Sequence, residues 1–208
     1  MGLYREQVVP RLVDWTCGTK EISRWRAQAT EGLSGRVVEV GFGSGLNLAH
    51  YPKDVEVVLA VEPAAVARRL AERRIRDAEV TVQHVGLDGQ QIPLDDASCD
   101  GALFTFTLCT VPEPTQALAE VRRVLRPGGT VHFLEHGLSP DAGVATWQHR
   151  FEPIQRRLAD GCHLTRNSSA LVEAAGFVMA HNEQRYVKGP KPWCWFTLGV
   201  ATNPASAP

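Results

Sequence analysis

Arg36-Val37-Val38-Glu39-Val40-Gly41-Phe42-Gly43-Ser44-Gly45-Leu46-Asn47 is the stretch whose reading decides the fold. A short apolar, β-branched run ends in three glycines at every second position, and a helix-compatible segment, 46–51, follows. The pattern predicts strand, tight turn and helix. Glycines let the backbone turn sharply and let a ligand approach it closely. A helix N-terminus beyond the turn offers unpaired N–H groups. The turn is therefore a ligand site before anything is known of the ligand.

Working outward, 55–61 is a second apolar run, closed by Glu62-Pro63, and Pro63 suits the first turn of a helix over 64–74. Strands follow at 80–85 and 101–107, then a helix over 113–125, stopped by Arg126-Pro127-Gly128-Gly129, then a strand at 130–134. Strands alternating with helices predict a parallel sheet covered on both faces. The order then changes. Residues 145–159 read as helical, Asn167 or Ser168 caps another helix that Gly176 ends, and strands at 177–187 and 193–201 form an antiparallel hairpin at the end of the sheet. The expected fold is α/β, a Rossmann-like sheet of seven strands, mostly parallel with an antiparallel C-terminal strand. Ahead of it, 3–30 reads as helical, interrupted at Pro10 and Gly18. The chain divides as a single domain: an N-terminal helical cap (1–35), a ligand-binding core (36–136), a helical cover (137–176), terminal strands (177–201) and a frayed tail (202–208).

The 208 residues suffice for one domain with a sizeable core. A net charge of −1 gives no reason to expect nucleic acid or an acidic membrane surface as partner. No apolar run has the length of a membrane span, and residues 1–10 lack a signal-peptide pattern. The five cysteines are scattered with no C-x-x-C pair, which favours reduced thiols in a cytoplasmic protein. The sequence does not fix an oligomeric state.

Two nucleotide-like ligands compete for the glycine turn. A dinucleotide fingerprint needs G-x-G-x-x-G, and here the third glycine comes one residue early. Glu62 closes the next strand, where a carboxylate accepts bonds from both ribose hydroxyls and repels a 2′-phosphate. A ligand without phosphates needs the missing glycine less, and S-adenosylmethionine is adenosine with a cationic amino-acid tail. Glu39 adds negative charge before the turn. An NAD-dependent oxidoreductase and a non-catalytic sensor of the same ligand remain as alternatives.

Four motifs carry a family resemblance: Glu39 to Gly45; Glu62; Asp88-Gly89-Gln90-Gln91-Ile92-Pro93 with Asp96 to Asp100; and Val121-Arg122-Arg123-Val124-Leu125-Arg126-Pro127-Gly128-Gly129. Over roughly residues 36–135 the chain resembles the class I S-adenosylmethionine-dependent methyltransferases, in the group with the ubiquinone and menaquinone biosynthesis enzymes. Phe133-Leu134-Glu135-His136 and Gly161-Cys162-His163-Leu164-Thr165-Arg166 resemble a narrower branch, the membrane-associated thiol methyltransferases of animals and their bacterial relatives. Phe42 stands where the family often has cysteine, and the N-terminus lacks the animal proteins' hydrophobic anchor. The resemblance implies S-adenosylmethionine as cofactor, with S-adenosylhomocysteine as product, and a small-molecule acceptor, either a thiol or an isoprenoid or lipid-like compound. It implies a cofactor site of Glu39, Gly41, Phe42, Gly43, Gly45, Asn47, Glu62, Pro63, Asp88, Gly89, Thr105 and Phe106. Within it, Glu62 holds ribose, Asp88 and Gly89 read the adenine edge, and Thr105 and Phe106 line the methionine side. Asp88 also suits an Asx-turn, and Thr105 suits plain strand packing.

Methyl transfer from a sulfonium is an in-line displacement that needs alignment and exclusion of water. A base matters only when the nucleophile carries a proton. His136, after the fifth strand, is the candidate base, with a structural loop histidine as the alternative. Trp147, Cys162, His163 and Arg166, in the cover, are candidate acceptor contacts, with core packing and capping as their alternatives. His132 and His136 match H-x-x-E-H, but that zinc motif needs a helix. On a strand they stand about 13 Å apart at about 3.3 Å per residue, so no metal is expected there. The arginines at 68, 69, 73, 74 and 76 read as a solvated helix face.

Overall fold

The computed structural model describes residues 7–205. The first four residues of the expected helical segment and the last three of the expected tail lie outside them. Two helices open the chain, α1 (Val9–Cys17) and α2 (Lys20–Thr30). Pro10 does not interrupt α1. It stands in the first turn, where its missing N–H has no helical partner to lose. The break falls at Gly18-Thr19, where Thr19 caps α2 by accepting the Ile22 N–H at 3.4 Å.

Seven strands follow with intervening helices: β1 (Gly35–Val40), β2 (Val55–Val61), α3 (Ala65–Asp77), β3 (Thr81–Gly86), β4 (Cys99–Thr105), α4 (Pro114–Val124), β5 (Leu125–His136), α5 (Ala142–Leu158), α6 (Ser168–Ala174), β6 (Val178–Tyr186) and β7 (Trp195–Thr202). The sheet order is β3-β2-β1-β4-β5-β7-β6. The first five strands run parallel, and β7 is antiparallel to both β5 and β6. Successive residues of a strand face opposite sides, and the two cores divide accordingly. Val38, Phe104 and Phe133 meet Leu118 and Val121 of α4 and Val172 of α6. Val37, Leu103 and Leu134 meet Trp25 and Ala29 of α2 and Ala71 of α3. At about 25 cal/mol per Å² of apolar surface removed from water, both layers hold the strand ends that carry the site. Among the described residues no helix is long and apolar enough to cross a membrane.

Several boundaries differ from the sequence reading, three of them with a clear local cause. The helix expected over 46–51 is a single 3-10 turn, Leu48–His50. Asn47 is drawn inward by side-chain bonds, described below, and Pro52 stops the next turn. The fifth strand starts at Leu125 rather than 130, because Gly128, at φ +81°, lets the chain pass through an irregularity between the Cys99–Leu125 and Gly101–Thr130 pairs. Thr202 and Asn203 belong to the fold rather than to a frayed tail. Asn203 is 6% exposed and its amide donates to Leu125 O at 3.0 Å.

Candidate functional site

The sheet order reverses at β1, with β2 and β3 on one side and β4 on the other. Such a switch point opens a crevice at the carboxyl ends of the strands. A cavity of about 680 Å³ fills it, a size typical of small-ligand sites. Gly41, Phe42 and Gly43 line it after β1, Glu62 and Pro63 after β2, Asp88 and Gly89 after β3, and Thr105 and Phe106 at the end of β4. Val9 and Val13 of α1 and the 159–163 turn form its outer wall. A second opening, of about 800 Å³, lies on the far side of Arg26 among Lys53, Arg73, Arg74 and Asp77, and has none of these strand-end groups.

Local chemistry explains the turn. Gly41 has φ +77°, and a Cβ there would run into the Thr107 side chain, so glycine is required. Glu62 is 7% exposed and stitches the turn to β2: Oε2 accepts from Gly43 N and Oε1 from Ala64 N, both at 2.7 Å. Burial raises its carboxyl, while those two bonds favour the charge. Phe106 has φ +54°, a conformation that costs a bulky residue about 1–3 kcal/mol. Its N–H is anchored on Leu134 O at 2.8 Å. Asp88 does form the Asx-turn, accepting Gln90 N at 2.8 Å through Oδ1, and lines the cavity as well.

Glu39, Gly45 and Asn47 do not line this cavity. A Cβ on Gly45, which has φ +76°, would meet Leu48, Phe42 and Ala71. Glu39 is buried and accepts from Asn47 Nδ2 at 2.7 Å and from the Tyr51 hydroxyl at 2.5 Å. Its two oxygens thus each have a protein donor. Asn47 Nδ2 also lies 3.0 Å from Thr105 Oγ1, so Thr105 is a packing residue and a cavity residue at once. Burial raises the Glu39 carboxyl to about 7, against the lowering effect of the Tyr51 and Asn47 bonds. The folded chain thus holds this proton more tightly than an unfolded chain with an ordinary glutamate. The stability Glu39 contributes is full below the ordinary value of 4.5 and is lost as pH rises through 7. The stability difference between wild type and Glu39→Gln is expected to shift against wild type between about pH 5 and about pH 8 in urea titrations. A difference independent of pH would contradict this.

Arg26 was not singled out from sequence. It is 5% exposed, reaches from α2 into the cavity wall, and donates through Nη1 to Asn47 Oδ1 at 2.8 Å and Thr105 Oγ1 at 3.0 Å. Its guanidinium lies 5.5 Å from the Phe106 ring centroid. Its Nε is buried and has no partner among the described residues, and burial lowers its pKa. A signal existed: Ile22, Trp25, Arg26 and Ala29 share a helical face, which puts an arginine at a core position.

Of the four candidate acceptor contacts in the cover, His163 alone lines the cavity. Its Nδ1 is 2.8 Å from Glu152 Oε1, and Glu152 Oε2 accepts Thr165 N at 3.0 Å. Burial works to raise the Glu152 carboxyl, but the Thr165 and His163 bonds bring it below the ordinary value. His136, the expected base, does not line the cavity: Phe106 stacks on it, centroids 6.4 Å apart, and its Nε2 meets Cys162 Sγ at 3.1 Å. Arg166 is occupied by backbone, donating to Leu108 O at 2.6 Å and Val111 O at 2.7 Å. Trp147 stacks on Phe151 with centroids 4.6 Å apart and meets the edge of Trp193.

Comparison with known proteins agrees with this geometry. Residues 38–133 match the family described as a methyltransferase domain. The chain is 37% identical to human thiol S-methyltransferase TMT1B over 176 residues, covering 81% of this chain and 69% of that protein. It is 33% identical to human thiol S-methyltransferase TMT1A over 175 residues, 80% of this chain and 69% of that one. A SAM-dependent methyltransferase from Thermotoga maritima has the same fold, with a TM-score of 0.69 at 21% identity over 95% of this chain and 97% of that one. The glycine turn, the switch-point cavity and relatives of this coverage converge on one assignment: the chain belongs to the class I S-adenosylmethionine-dependent methyltransferases, acting on a small molecule.

Proposed function

We propose that the protein methylates the sulfur of a small thiol, yielding a methyl thioether and S-adenosylhomocysteine, with His163 as the base. The observation that carries this is the His163–Glu152 pair on the cavity wall, 2.8 Å apart. A carboxylate on Nδ1 leaves Nε2 as the proton acceptor. A thiol loses its proton near neutral pH and needs only such a base. Val9, Val13 and Val111 give the acceptor side an apolar lining. The thiol activity named for TMT1B and TMT1A points to the same class.

The residues fit the cofactor. The orphaned, buried Arg26 Nε is a donor that would suit an amino-acid carboxylate, Glu62 would accept from ribose hydroxyls, and Asp88 with Gly89 would meet the adenine edge. S-adenosylmethionine, when bound, supplies an electrophilic methyl on a charged sulfur. His163 would take the acceptor's S–H proton, leaving a thiolate to accept the methyl group that the cofactor would supply. The apolar wall excludes water from that line.

Calorimetry with S-adenosylmethionine, S-adenosylhomocysteine and NAD, followed by mass spectrometry of a panel of thiols, alcohols and amines, tests this reading. Methylation confined to alcohols or amines would overturn the acceptor class. Tight NAD binding with no response to S-adenosylmethionine would overturn the cofactor site. Glu62→Ala is expected to weaken S-adenosylmethionine at least about tenfold, or about 1.4 kcal/mol. Glu62→Gln, which keeps one acceptor oxygen, should fall between the two. Unchanged affinity in Glu62→Ala would mean that ribose binds elsewhere.

A further inference from the structure

Three nucleophilic side chains that the cavity does not use meet just behind its wall. Cys109 lies on the loop after β4, His136 ends β5, and Cys162 lies in the turn after α5. Their Sγ, Nε2 and Sγ atoms all fall within 4.8 Å of one another, and Nε2 stands 3.1 Å from Cys162 Sγ. Both cysteines are buried. We propose that Cys109, Cys162 and His136 form a zinc site that ties the cover to the ends of β4 and β5.

The donor set selects the ion. Two thiolates and an imidazole suit a borderline-soft cation and exclude magnesium and calcium, which take oxygen ligands. Zinc binds sulfur at about 2.3 Å and imidazole nitrogen at about 2.0–2.1 Å. Tetrahedral placement then separates the ligand atoms by roughly 3.5–3.8 Å, which small rotamer shifts achieve here. Charge separates zinc from copper(I). Zn²⁺ displaces two thiol protons and leaves a neutral site, which burial favours. Cu⁺ with two thiolates leaves one negative charge next to the buried Glu135.

The loops that carry the ligands are fixed independently. Glu135 accepts the N–H groups of Thr107 at 2.7 Å, Leu108 at 2.9 Å and Cys109 at 3.3 Å. His163 N bonds Cys109 O at 2.8 Å, and Gly161, at φ +87°, shapes the turn that presents Cys162. Phe106 orients the imidazole by stacking. Three protein ligands leave a fourth position for water. Bound metal would hold the 159–163 turn, and with it His163, against the cavity. The site is independent of which acceptor is methylated.

The full chain, isolated without chelator and kept reduced, is expected to bind one equivalent of zinc. Cobalt(II) in its place should give a sulfur-to-metal charge-transfer band and the visible bands of a tetrahedral site. Cys109→Ser and Cys162→Ser should each weaken zinc at least about a hundredfold, while Cys194→Ser leaves it unchanged. Added zinc should raise the wild-type melting temperature, a readout that needs no variant to fold. A wild-type protein that gives no cobalt–thiolate band overturns the proposal. So does a band that survives both substitutions, or a metal-free Cys109–Cys162 disulfide in the freshly isolated chain.

Discussion

His163→Ala is expected to lower kcat/KM for a thiol acceptor by about a hundredfold at neutral pH, the low end of the range for general-base catalysis. The loss should shrink to a few-fold as pH rises past the acceptor's own pKa. A free thiol with a pKa of about 8.5 is only a few per cent ionised at pH 7. A variant without the base must use that fraction, which accounts for roughly a thirtyfold deficit; the rest is lost orientation. Above the thiol pKa the deficit disappears because the nucleophile arrives deprotonated. The substitution leaves the backbone bond from His163 N to Cys109 O in place, so cofactor affinity should not change. Glu152→Gln should show a smaller loss with the same pH trend, since its amide oxygen can still accept from Nδ1 and position the ring. A loss of equal size at every pH would mean that His163 shapes the cavity without taking a proton. Full activity at neutral pH would remove it from the mechanism.

The strand-end side of this cavity was more legible in sequence than its outer wall, for a physical reason. The glycine turn, Glu62 and Asp88 each lie within a few residues of a strand end, and the alternation of strands and helices puts those ends at one edge. Local pattern therefore carries spatial information there. The strand order, and with it the switch point between β1 and β4, is not local, yet a parallel core with an antiparallel last pair follows from the hairpin at 177–201. Placement across elements was not legible. His136 ends the fifth strand and His163 lies beyond it, and nothing in their neighbourhoods says which one Phe106 screens from the cavity. Glu152 is an acid in a helix otherwise rich in His149, Arg150, Arg156 and Arg157, a contrast visible only after the histidine it faces is known. The helix expected at 46–51 failed because side chains overrode propensity: Asn47 satisfies Glu39, Thr105 and Arg26, and those bonds hold it where a helix could not continue.

Arg26→Met is expected to weaken S-adenosylmethionine by roughly 10–150-fold, the worth of a charge-assisted hydrogen bond at about 1.5–3 kcal/mol, with little change in melting temperature. Two effects oppose each other in the free protein. Removing a buried guanidinium abandons Asn47 and Thr105 and takes a counter-charge from Glu39. It also removes the desolvation that already lowers the arginine's pKa, and an apolar side chain of similar length refills the space. Glu39 decides the balance. Its carboxyl already titrates at about 7, so without Arg26 it takes a proton near neutral pH instead of standing as an unpaired buried charge. The stability loss is therefore small, whereas the bound carboxylate has no such escape. Arg26→Lys should not restore affinity, because a single ammonium cannot serve Asn47, Thr105 and a ligand from a planar fork. Methylthioadenosine, which lacks the amino-acid carboxylate, provides the control: it should bind wild type and Arg26→Met alike. Equal losses for both ligands would assign Arg26 to the architecture of the cavity alone. An unchanged affinity for S-adenosylmethionine would place the carboxylate on another donor.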